Sequence, residues 1–127
     1  MRDFAVIGLG RFGASVARSL HSLGYDVLGV DMNEAKVAAA TEYTTKAVQC
    51  DATDENSLRS VGIRNFDAVV VAIGDLQASI LITLLLKEMG VRRKPIIPFL
   101  PRENFINRWL GKLTYKPGRF KIEDIEN

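Results

Sequence analysis

Histidine, tryptophan and cysteine each occur once in the 127 residues, and the four prolines all lie beyond residue 94. A single thiol, Cys50, forms no internal disulfide, which suits a reducing compartment. It closes an apolar run and is expected as a small buried residue, not a redox thiol. The one histidine, His21, falls in a helical stretch, where an exposed position is expected. There is no Cys/His metal cluster, no nucleophile elbow and no Ser/His/Asp set, so neither a metal site nor catalytic residues are expected. No apolar run approaches the roughly 18 residues of a membrane span, and Met1-Arg2-Asp3-Phe4 leads into a strand pattern without a signal-peptide layout. A cytoplasmic chain is the expectation. The net charge of +2 says little by itself, and no nucleic-acid partner is expected.

What the chain does hold is the apolar material of one domain. Hydrophobic residues make up 47% and charged residues 25%, the balance of an ordinary soluble globular protein. One core suffices at this length, and a second complete domain does not fit. Residues 1–91 carry 8 basic and 11 acidic side chains, whereas residues 92–127 carry 9 and 4 together with Pro95, Pro98, Pro101 and Pro117. The shift marks a boundary near Gly90. It divides a folded domain over 1–91 from a divergent basic, proline-containing tail over 92–127. Within that tail, residues 95–101 read as an edge strand, and Phe105, Ile106, Trp109, Leu110 and Leu113 have the spacing of a short amphipathic helix.

Short apolar runs alternate with helical patterns through the first 90 residues, as in a parallel sheet covered by helices on both faces. Phe4-Ala5-Val6-Ile7 is a continuous apolar run ending in glycine, as a central buried strand requires. Further strands are expected over 26–31, 46–51 and 67–73. Helices are expected over 11–23, from a cap at Asn33 to about 41, from 53 or 54 to about 62, and over 76–89. In the last of these, Ile80, Leu81, Ile82, Leu84, Leu85, Leu86 and Met89 spread around most of the circumference. One sheet face cannot cover all of that, so the surplus is read as a subunit interface.

The chemistry concentrates in Gly8-Leu9-Gly10-Arg11-Phe12-Gly13, which sits between a strand and a helix as a dinucleotide-type turn requires. Gly8 permits the bend, Gly10 admits a phosphate without a Cβ in the way, and Gly13 lets the helix close on the strand. The positive end of the helix then holds the anion. Asp31 follows Gly8 by 23 residues, at the end of the second strand, where a carboxylate accepts ribose hydroxyls and disfavours a 2′-phosphate. Arg11 adds a permanent cation suited to a terminal phosphate. Asp51-Ala52-Thr53 and Ile73-Gly74-Asp75 fall at the other strand ends, on the same crevice. The expected fold class is therefore α/β: a Rossmann-like doubly wound parallel sheet of four to five strands, order 3-2-1-4-5, with an atypical C-terminal segment.

The run from Phe4 to Gly13, together with Val30-Asp31, Cys50-Asp51-Ala52-Thr53 and Val71-Ala72-Ile73-Gly74, closely resembles the RCK (TrkA-N, or KTN) domain of the Ktr/Trk potassium-uptake regulators. The likeness covers roughly residues 3–90. In that family the domains assemble through dimers into an octameric ring beneath a membrane potassium channel, bind ATP, ADP or NAD(H), and change ring shape with the nucleotide. The resemblance implies phosphate contacts at Gly10 and Arg11, ribose contacts at Asp31, and base-pocket contacts at Met32, Asn33, Asp51, Ala52, Ile73 and Gly74. It also implies that the helix over 76–89 is an assembly surface and that the chain lies at the inner face of the membrane, held by a potassium-translocating partner. Beyond Gly90 the likeness lapses. The family's fifth strand, histidine-bearing helix and Gly-Ala-Asp turn have no recognisable counterpart, a change that a truncated or frame-altered coding sequence produces.

The functional expectation is a regulator without catalytic activity that binds ATP, ADP or NAD(H) and gates a potassium transporter. The competing class is a small NAD-dependent oxidoreductase or a fragment of one, for which only Tyr43 and Tyr115 offer a proton. A third class is a folded remnant that keeps only an interaction surface.

Overall fold

The computed structural model describes residues 3–91. Four parallel strands, β1 (Asp3–Ile7), β2 (Asp26–Asp31), β3 (Lys46–Gln49) and β4 (Ala68–Val71), form one sheet in the order β3-β2-β1-β4. Register pairs Val6 with Gly29 on one side and with Val70 on the other, so β1 is central. The helices are α1 (Arg11–Ser22), α2 (Glu34–Ala40), α3 (Glu55–Ser60) and α4 (Leu76–Glu88). The expected fifth strand and the tail helix lie outside the described residues.

Strand periodicity of two sorts the core into two layers. Phe4, Val6, Val27, Ala68 and Val70 point to one face, where Val16, Ala17 and Leu20 of α1 and Ala40 of α2 cover them. Ala5, Ile7, Leu28, Val30, Val69 and Val71 point to the other, beneath Leu58 of α3 and Ile82 and Leu86 of α4. All four β4 residues are buried, which explains why the sequence there is an unbroken apolar run instead of an alternating one. Because β2 and β3 extend from one side of β1 and β4 lies on the other, the winding reverses between β1 and β4. Open parallel sheets bind ligands at such a reversal, beyond the carboxyl ends of the strands.

Element boundaries differ modestly from expectation. The β3 ladder stops at Gln49, two residues early, because Asp51 turns the chain onto its own Thr53 amide at 3.0 Å. β4 loses a residue at its start and two at its end, although the Ala72 amide still donates to Ile7 O at 2.7 Å. A short 3-10 turn over Ile63–Asn65 follows α3, in a stretch to which no element was assigned from the sequence. Asn33 caps α2 as anticipated, its Oδ1 accepting from the Lys36 amide at 3.0 Å.

The apolar circumference of α4 is only partly resolved by burial. Ser79, Ile82, Thr83 and Leu86 are buried, and the two hydroxyls bond to Ile73 O (2.8 Å) and Ser79 O (2.7 Å). Leu76 and Leu81 stay 42% and 44% exposed, an apolar surplus that no described element covers. No helix among the described residues is long and apolar enough to cross a membrane.

Candidate functional site

Each glycine of the β1–α1 turn stands in a different steric situation. Gly8 has φ +99°, and a Cβ there would strike Ala72 O of the neighbouring strand end. A Cβ on Gly13 would strike Gly8 O, so the helix can approach the strand only without one. Gly10 differs: its φ is −73°, and a Cβ would meet nothing within 4 Å. Gly74, in the β4–α4 turn, has the same open space. Gly8 and Gly13 are thus required by the chain's own packing, whereas Gly10 and Gly74 are open toward a crevice.

That crevice has a volume of about 350 Å³ and is lined by Gly8, Gly10, Asp31, Met32, Lys36, Cys50, Asp51, Ala52, Thr53, Ala72, Ile73, Gly74, Asp75 and Ala78, with Ile7, Val30 and Ile82 at its base. Hollows elsewhere are larger, about 480 Å³ around Asp3, Asp26 and Lys46 and about 440 Å³ around Arg59 and Arg64, but neither has the glycine turn or the start of α1 on its wall.

Asp31 is the structural pivot. Its Oδ2 accepts from the Leu9 amide at 2.7 Å and its Oδ1 from the Asn33 amide at 2.8 Å, so one carboxylate braces the glycine turn and the entry to α2 together. The Leu9 side chain locks the same joint from below, where a Cβ on Gly29 of β2 would sit 3.2 Å from its methyl carbons. Each Asp31 oxygen keeps a second lone pair, enough for one hydroxyl apiece. We expect Asp31→Ala to loosen the turn by about 1–3 kcal/mol through the orphaned Leu9 amide, read by denaturant unfolding.

At the β3 end, Asp51 Oδ1 accepts from the Thr53 amide (3.0 Å) and the Thr53 hydroxyl (2.6 Å). These bonds hold its carboxyl below the usual carboxylate range, the hydroxyl contributing most. A lowered value means that the turn adds stability above the unfolded-state pKa and loses it as pH falls through the folded-state pKa; exposure keeps the amount small. Thr53→Ala should raise the Asp51 pKa, measured by NMR titration, and an unmoved value would remove the hydroxyl as the cause.

Burial pushes the neighbouring Cys50 thiol up, and the carboxylates of Asp51 and Asp54 add to it. Cys50 is half-buried and lines the crevice, so the expectation of a plain core residue is corrected here: the apolar run ends at the strand's open edge and leaves its last side chain on the wall. Thiolate is the reactive form. Cys50 should therefore alkylate more slowly at neutral pH than a free cysteine, and faster in Asp51→Asn.

Of the residues expected at the site, Gly8, Gly10, Asp31, Met32, Asp51, Ala52, Ile73, Gly74 and Asp75 line the crevice. Arg11, Phe12, Gly13 and Asn33 do not; Arg11 is exposed, and Gly13 and Asn33 act through packing and capping. Sequence reasoning missed Lys36, Ala72 and Ala78. Lys36 was findable, since a helix capped at Asn33 carries its third residue back toward the strand ends. His21 is exposed as expected, and among the described residues no group of three metal-ligating side chains occurs.

A doubly wound sheet with a glycine turn, a braced carboxylate and an open crevice defines a Rossmann-type domain with the form of a nucleotide site. The chain belongs to the TrkA-N domain family, which matches residues 4–102. It is 58% identical over 91 residues to the Ktr system potassium uptake protein A of Bacillus subtilis (strain 168), a match that takes in 71% of this chain and 41% of that protein. The chain thus spans under half the length of this relative. In fold it is similar to the NAD(P)-binding domain of an exopolyphosphatase-related protein from Archaeoglobus fulgidus, with a TM-score of 0.77 and 23% identity over 93% of this chain and 89% of that one. It is also similar to the GsuK channel bound to NAD, with a TM-score of 0.72 and 16% identity over 87% of this chain and 20% of that one.

Proposed function

We propose that this chain is a nucleotide-binding regulatory domain of a potassium-uptake system. It binds ATP, ADP or NAD(H) and passes the state of the site to a membrane potassium-translocating subunit of the Ktr/Trk type. One observation carries the reading: Gly10 leaves open space at the uncapped start of α1, beside a carboxylate that two backbone amides hold in place. A helix start with no side-chain cap and no acidic residue in its first turn favours an anion. The nucleotide's phosphates lie against Gly10 at the start of α1, the exposed Arg11 side chain serves them from outside the crevice wall, and Asp31 takes the ribose. The base lies among Met32, Asn33, Asp51, Ala52, Ile73 and Gly74, with Asp75 at the edge of the same crevice. Binding acts without turnover, and the chain works at the cytoplasmic face of the membrane. Family membership and the likeness to the potassium uptake protein support this reading.

The exposed apolar residues of α4, Leu76 and Leu81, serve assembly of identical subunits into a dimer and, through dimers, a ring. A ligand shifts such an assembly only through different affinities for its two arrangements. Light scattering with and without ADP, ATP or NAD⁺ tests the coupling. A mass or hydrodynamic radius that changes with ligand supports it, and a monomer indifferent to every nucleotide contradicts it. Bound nucleotide should also slow Cys50 alkylation, because the thiol lines the same crevice. The oxidoreductase alternative loses its described proton donor: Tyr43 packs beneath the Arg18 guanidinium, 4.5 Å away, and does not line the crevice. Turnover of NADH with any carbonyl acceptor would restore that class.

A further inference from the structure

We infer that Leu9, which does not line the crevice, is the positioning residue of the nucleotide site. Seated on Gly29 in the middle of β2, its side chain holds its own amide on Asp31 and so fixes the glycine turn and the carboxylate to one another. This rests on the nucleotide reading above and deepens it, from the groups that meet the ligand to the pair that sets where they stand.

Gly29 lies in the interior of β2, paired in register with Val6 on one side and Ala47 on the other. Glycine weakens a strand interior and is found there where another group must come close. Backbone conformation gives no reason for it, because the φ of Gly29 is not positive. A ligand gives none either, because Gly29 is buried and does not line the crevice. A Cβ there would come 3.2 Å from both methyl carbons of Leu9 and 3.4 Å from the methyl of Thr44. The space left by the missing side chain is the seat of Leu9.

That seat matters because the β1–β2 ladder ends just before it. The Gly8 amide donates to Val30 O at 2.7 Å, but the Leu9 amide, one residue on, donates to a side chain, Asp31 Oδ2, also at 2.7 Å. Gly10 then begins α1 with no side-chain cap. Within Gly8-Leu9-Gly10 only Leu9 has a side chain with which to anchor the bend. It is 4% exposed and packs on the α1 side of the sheet with Phe4, Val16 and Ala40, while Gly8, Gly10 and Asp31 line the crevice. The same contact reaches α2. Thr44, against which Leu9 rests, donates its hydroxyl to Ala40 O at the end of that helix (2.6 Å), and the Asn33 amide on Asp31 Oδ1 holds its start. The amides at the start of α1 and the free lone pairs of Asp31 must stand at a fixed separation to take one ligand together. A packed side chain sets that separation more firmly than one hydrogen bond alone.

The test uses the 127-residue chain, with calorimetry of ADP and NAD⁺. Leu9→Ala should weaken both ligands alike, by about tenfold or more. Gly29→Val, which forces Leu9 off its seat, should cost at least as much. Leu9→Ala removes as much side chain as Gly29→Val adds, so the double variant refills the seat from the β2 side and should regain most of the affinity. Hydrogen exchange separates positioning from a general loss of stability. In Leu9→Ala the amide of residue 9 should exchange about tenfold faster relative to the amides of β1, and the double variant should restore its protection. Should Leu9→Ala fail to fold, the milder Leu9→Val should move both readouts in the same direction. If the parent binds nucleotide and the Leu9 variants bind it equally well, or if the penalties of the two single changes add in the double variant, Leu9 does not position the site and the nucleotide reading stands. If no nucleotide binds the parent, both fall together.

Discussion

Gly13→Ala should cost about 3 kcal/mol or more and lower the melting temperature by on the order of 15 °C. A Cβ at position 13 collides with the carbonyl oxygen of Gly8 and comes 2.8 Å from its carbon, and both atoms are backbone. Nothing flexible can give way. Relief requires α1 to lift off β1, which pulls Val16, Ala17 and Leu20 out of the layer they share with Phe4 and Val6. Because these residues form the centre of one core layer, the loss is global and not confined to the turn. Urea unfolding of parent and variant measures it. A midpoint unchanged within error would mean that the helix–strand contact is looser than described.

Gly10→Ala should show the reverse pattern: stability within about 0.5 kcal/mol of the parent, and nucleotide affinity reduced by at least about tenfold. The backbone at Gly10 has φ −73° and ψ −164°, a conformation alanine adopts readily, and its Cβ would find open space. Only a ligand reaching the amides of the first turn would meet it. The two glycines stand three residues apart in one motif, and the sequence already gives them different tasks, phosphate approach at Gly10 and helix–strand packing at Gly13. The space around Gly13 agrees with its task, and that around Gly10 is open as its task requires. Equal affinities for parent and Gly10→Ala would remove the phosphate from this turn.

Much of the architecture was legible because burial on both faces imposes continuous apolar runs on parallel strands. Phe4 to Ile7 and Ala68 to Val71 could hardly be anything else. Helix ends were legible where capping chemistry is local, as at Asn33. Strand ends were less so, because Cys50 and Ile73 are apolar but already belong to turns. The 3-10 turn at Ile63–Asn65 was missed, although Gly62 before it, at φ +71°, is the local signal that ends α3 and starts the turn.

At the site, the residues that line the crevice through turns were found from strand-end logic. Lys36 and Ala78 were missed because their place on the wall depends on how α2 and α4 begin. Arg11 was expected to serve the phosphates through its charge; it is exposed at the first turn of α1 and is not on the crevice wall. The double duty of Asp31 also escaped the sequence. A carboxylate 23 residues after the first glycine suggests ribose, but only the fold reveals that it also anchors the Leu9 amide.

Nitrogen-15 HSQC titration of the 127-residue chain with NAD⁺ tests the central claim most directly, since it reports the position of the ligand and not merely its presence. The account predicts saturable shifts concentrated in the amides of residues 8–13, 31–33, 50–53 and 73–75. Shifts centred instead on the hollow around Asp3, Asp26 and Lys46, or none at millimolar ligand, would contradict it.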